Sequence, residues 1–73
     1  MKVTILFVRW HEDSEWSVHS VHRNMSALCE FLGYAEWNYP PILSRGASLW
    51  EWDTKFNDRT ISLRADQRKV RGA

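Results

Sequence analysis

The opening residues alternate so that both faces of an extended segment are apolar. Val3, Ile5 and Phe7 point one way and Leu6, Val8 and Trp10 the other. Lys2–Trp10 is therefore predicted to be a central strand, with a helix over one face and the second face packed or presented to a partner. The polar stretch His11-Glu-Asp-Ser-Glu15 leads into a second predicted strand from Trp16 to about His22, in which Trp16, Val18 and Ser20 share a face. Five connecting residues suit an antiparallel hairpin, because parallel neighbours need a dozen or more.

From Met25 the period lengthens. Leu28, Phe31, Leu32 and Ala35 fall at i, i+3, i+4 and i+7, the apolar stripe of a helix. Asn24 or Ser26 is the candidate N-cap, and Gly33 is a candidate stop, although the pattern extends to about Glu36. Asn38–Ala47, with Pro40, Pro41 and Gly46, reads as a loop returning the chain across the sheet. Ser48–Phe56 then alternates, with Trp50, Trp52 and Phe56 opposite Glu51, Asp53 and Lys55. Asn57-Asp58 is a turn signal, and Ile61, Leu63 and Ala65 continue the alternation against Thr60, Ser62 and Arg64. The expected architecture is α+β: a mostly antiparallel sheet of about four strands in the order ββαββ, with one helix on one face. Residues 1–66 form the expected single domain and 67–73 a flexible basic tail.

At 73 residues the core must be thin, since a domain near this size buries only about 60% of the surface its unfolded chain exposes. Five Trp, three Phe and two Tyr strain that capacity. Charge is segregated: residues 1–58 hold five basic and eight acidic side chains, whereas residues 59–73 hold five basic and one acidic. The basic end suits an acidic surface. The apolar opening, Val3–Val8, is too short to span a bilayer and lacks a cleavage pattern, so no membrane association is expected. A single cysteine, Cys29, rules out an internal disulfide and suits a reducing cytoplasm.

Catalytic chemistry finds no foothold. On a regular strand His19 and His22 would point to opposite faces, so they are not expected to converge on a metal even with His11 and Cys29 nearby in sequence. Cys29 flanks the helix stripe as a small hydrophobe. Glu12, Asp13 and Glu15 lie in a polar turn with no apolar pocket to raise a carboxyl pKa. Neither G-x-G-x-x-G nor G-x-x-x-x-G-K-[ST] occurs. No enzyme, cofactor or metal is expected.

Binding fits better. Trp50 and Trp52 share a strand face that is expected to pack under the helix, which leaves Leu6, Val8 and Trp10 as candidates for exposure. Trp10, Trp50 and Trp52 are the candidate anchors, since Trp offers a large rigid contact area. Arg64, Arg68, Lys69 and Arg71 are the candidate electrostatic guides toward an acidic protein groove or, as second choice, nucleic-acid phosphates. A stacking sheet for RNA lacks the K/R-G-F/Y-G/A-F-V-x-F/Y motif. A monomer is expected.

A chain of this size, opened by Lys2-Val-Thr-Ile-Leu-Phe-Val-Arg-Trp10 and closed by Arg68-Lys-Val-Arg71, resembles the small regulators with which bacteriophages seize host transcription. That resemblance implies action in the cytoplasm of a bacterial host and binding to bacterial RNA polymerase near the amino end of its β′ subunit. It further implies interference with σ-dependent promoter complexes and antitermination during elongation. It assigns no binding residue individually, and phage proteins of similar size also block nucleases or defence complexes.

Overall fold

The computed structural model describes residues 2–10, 15–45 and 47–69. Along the chain run β1 (Lys2–Trp10), β2 (Ser17–His22), helix α1 (Met25–Tyr34), the one-turn helix α2 (Pro41–Ser44), β3 (Leu49–Phe56) and β4 (Arg59–Lys69). The four strands form one antiparallel sheet in the order β2-β1-β4-β3, so the fold is α+β as the pattern predicts. The first and last strands lie side by side in its centre.

Local chemistry explains the boundaries. Asn24 is extended, and its side-chain oxygen accepts a hydrogen bond from the Ala27 N–H at 2.8 Å, closing the first turn of α1. The helix ends at Tyr34, and Glu36 at φ 60° turns the chain away. Pro41 occupies the first turn of α2, where its missing N–H costs nothing. Asn57 and Asp58, at φ 49° and 63°, make the two-residue turn that joins β3 to β4 with Phe56 opposite Arg59.

Register decides which side chains meet the helix. Leu6 lies opposite Ala65, which lies opposite Trp50; Val8 lies opposite Leu63, which lies opposite Trp52. These rows share one face, where Leu6, Val8, Ile61, Leu63 and Ala65 pack with Met25, Leu28, Cys29 and Leu32 of α1, Leu43 of α2 and Trp37. Each fully buried aliphatic chain here stabilises the fold by about 1.5–3 kcal/mol. Thr4 is buried on the same face, and its hydroxyl has no hydrogen-bond partner among the described residues.

Two expectations are corrected. Leu6 and Val8 are core residues, because they share a face with Trp50 and Trp52; the open face of β1 carries Val3, Ile5 and Phe7 instead. β4 runs on to Lys69, with Gln67 opposite Thr4, Arg68 opposite Val3 and Lys69 opposite Lys2, so 67–69 belong to the sheet and not to a tail. Pairing with the long first strand overrides the lack of apolar alternation there. The rest of the expected tail, 70–73, lies outside the described residues.

Candidate functional site

The sheet face opposite α1 has no element over it among the described residues, and its rows read directly from the register. Val21, Ile5, Asp66 and Leu49 form one row, and Val18, Phe7, Arg64 and Glu51 the next. Arg9, Ser62 and Asp53 follow, with Val3 and Arg68 at the other end. The β2 and β1 half is therefore apolar and the β4 and β3 half charged. Val18 and Val21 are each 59% exposed. These two open branched residues of β2, beside half-buried Ile5 and Phe7 of β1, make a contiguous patch of the kind that marks a contact surface.

Arginines border the patch. Arg64 and Arg68 reach from β4 over the Phe7 ring, with guanidinium carbons 6.0 and 5.7 Å from its centre. Arg9 lies 5.0 Å from the centre of the Trp16 ring. All three distances fall in the range of cation–π attraction, worth about 0.5–1 kcal/mol at exposed sites. Arg68 Nε also donates to Asp66 Oδ2 at 2.8 Å, and Ser62 donates to Asp53 at 2.8 Å. Arg64 Nε stands 3.5 Å from Glu51 Oε1 without hydrogen-bonding it. Arg9, Trp16, Glu51, Trp52, Asp53 and Ser62 line a shallow open depression beside the patch.

The residues singled out from sequence are divided between faces. Arg64 and Arg68 belong to the open face. Trp10, Trp50 and Trp52 lie on the helix side: Trp10 packs edge-on against Phe56 with ring centres 6.0 Å apart, and Trp52 Nε1 donates to the Asn38 carbonyl at 2.7 Å. That bond ties the inter-helix loop to the sheet and gives Trp52 a structural role. Trp50 stays 42% exposed at the sheet margin. Lys69 is exposed at the end of β4, and Arg71 lies outside the described residues. Sequence reading missed Phe7, Val18 and Val21. The signal for Phe7 was the doubly apolar pattern of β1, but alternation alone does not tell which face the helix takes, and Val18 and Val21 follow from their pairing with Phe7 and Ile5.

The histidines also depart from expectation. A register shift between Leu6 and Phe7 leaves His19 as an extra residue of β2, with Val18 opposite Phe7 and Ser20 opposite Leu6. The bulge turns His19 to the same side as His22, where both rings meet Phe31 at 5.6 and 5.1 Å. Ser20 Oγ joins them, 3.1 Å from His19 Nδ1 and 2.8 Å from His22 Nε2. Burial, and then the neighbouring His19, push the His22 pKa below its ordinary value. Among the described residues no third group holds Nδ1 of His22, so the serine–histidine pair lacks the orienting partner of a nucleophilic triad. Burial raises the Cys29 thiol pKa, which keeps it protonated and unreactive.

No family model, curated protein or solved structure matches the chain. Among the described residues no helix is long and apolar enough to cross a membrane.

Proposed function

We propose that the chain is a non-catalytic regulator that docks on a protein partner through the open face of its sheet. The observation that carries this is the exposed Val18–Val21 pair beside Ile5 and Phe7, bordered by Arg64 and Arg68. Burying such a patch supplies the non-directional part of binding, and the arginines fix orientation against carboxylates or carbonyls. The partner proposed is bacterial RNA polymerase, as the resemblance implies, in the host cytoplasm. Occupying the polymerase would then interfere with σ-dependent promoter engagement, and a regulator that stays bound during elongation would act as an antiterminator.

Nucleic acid is the second reading, because Phe7 beneath two guanidiniums resembles a base-stacking platform. Charge favours protein. Arg9, Lys55, Arg64 and Arg68 on this face are interleaved with Glu51, Asp53 and Asp66, which leaves little net positive field for a phosphate backbone. Affinity capture from bacterial lysate tests the proposal. Recovery of polymerase subunits supports it; their absence at low salt, or a steeply salt-dependent gel shift with arbitrary probes, overturns it.

A further inference from the structure

The two edges of the sheet are built differently. β2 is short and carries the His19 bulge, a distortion that discourages another strand from pairing there. β3 is eight residues long, contains no proline, and pairs with β4 without a register shift. No backbone hydrogen bond reaches its outer side among the described residues. Exposed apolar side chains gather along it: Leu49, Trp50 and Phe56. A long, regular edge whose helix-side positions are aromatic is a template for strand addition.

The direction of its free backbone groups follows from the turn. A two-residue turn closes on Phe56 and Arg59, so the N–H and C=O of Phe56, Thr54, Trp52 and Trp50 face β4. The Gln67 N–H donating to the Ser48 carbonyl at 2.8 Å continues that count. The backbone groups of Leu49, Glu51, Asp53 and Lys55 are the ones directed to the open side.

We infer that β3 pairs antiparallel with the β3 of a second copy, joining two sheets into one of eight strands. Charge complementarity selects both occupant and register. With Asp53 on the twofold axis, Glu51 faces Lys55 twice but two Asp53 carboxylates meet between those pairs; with Trp52 on it, Glu51 would face Asp53 of the other copy twice. With Thr54 on the axis, Asp53 faces Lys55 and Lys55 faces Asp53, while Trp52 and Phe56 pair across the helix side. Opposite charges and aromatic pairs directly across a sheet are favourable, and the symmetry doubles each. The contact uses the outer backbone of β3, at the opposite margin of the sheet from the Ile5, Phe7, Val18 and Val21 patch, so this inference goes beyond the docking proposal.

Sedimentation of the full chain from micromolar to near-millimolar concentration tests it. The wild type should move from the mass of one chain to that of two. Lys55→Asp and Asp53→Lys should each weaken the dimer by about tenfold or more, because two pairs turn repulsive together. The double exchange, Asp53→Lys with Lys55→Asp, should restore it. Circular dichroism checks that each variant is folded, and Lys55→Asp, at a residue with no side-chain hydrogen bond among the described residues, covers any loss from breaking the Ser62–Asp53 bond. A wild type that stays monomeric throughout overturns the inference. So does a dimer that ignores both reversals, or one broken only by Phe7→Ser on the open face.

Discussion

Arg68 extends from the end of β4 across to β1 and sets its guanidinium 5.7 Å from the centre of the Phe7 ring, while its Nε is held at 2.8 Å by Asp66. One side chain thus joins the apolar and charged halves of the open face. An arginine tethered this way has lost part of its rotamer freedom before any partner arrives, which lowers the ordering cost of binding.

The two faces of the sheet should respond oppositely to substitution. Leu6→Ala removes a fully buried side chain between Ala65 and Ser20 and should destabilise the fold by about 2–5 kcal/mol. Val18→Ser, at a position 59% exposed, should change stability by no more than about 0.5 kcal/mol. Urea denaturation of the two variants checks the contrast.

Thr4 tests the cost of an unpaired hydroxyl. Its Oγ1 is buried without a hydrogen-bond partner among the described residues, opposite His22 and Gln67. Thr4→Val keeps the branched shape and removes the desolvated oxygen, so it should stabilise the domain by up to about 1 kcal/mol. A midpoint lowered in urea would mean that the hydroxyl makes a bond in solution.

Much of the fold was legible because each element carries a complete local signal. Leu28, Phe31, Leu32 and Ala35 announce α1, and Asn57-Asp58 between alternating runs announces the last hairpin. The central pairing of β1 with β4 was not legible, since it joins residues more than fifty apart and no local period encodes such a contact. The face chosen by the helix follows from that pairing: once Leu6 stands against Ala65 and Val8 against Leu63, Phe7 must face outward. The His19 bulge stayed hidden for a related reason. An inserted residue shifts the two-residue period without changing composition, so the strand pattern alone places His19 and His22 on opposite sides.

The β3–β4 turn offers a gain. Asp58 adopts φ 63°, a conformation that non-glycine residues enter at a cost of about 1–2 kcal/mol. Asp58→Gly creates the Asn-Gly pair preferred in such turns and should raise Tm, with a net effect of about 0.5–1 kcal/mol after the greater freedom of glycine in the unfolded chain. Thermal unfolding followed by circular dichroism measures it.

Stability should also depend on the imidazole of His22. Its pKa is lowered in the folded chain by burial first and by His19 second, so the unfolded chain binds the proton more readily. The stabilising contribution is therefore present above the unfolded value of 6.5 and is lost as pH falls below it toward the lower folded value. Tm should decline as the medium is acidified through this window, and His22→Phe should flatten that decline. An identical pH dependence in the variant would assign the effect to other groups.

The central claim, that the open face is the docking surface and RNA polymerase the partner, is tested most directly by titrating labelled chain against purified bacterial RNA polymerase. Wild type, Phe7→Ser, Val18→Ser and Trp50→Ser are compared under matched conditions. Saturable binding by the wild type and Trp50→Ser, with binding lost or weakened by about tenfold or more in Phe7→Ser and Val18→Ser, is the predicted result. No binding by the wild type, or equal affinity in all four proteins, would contradict it.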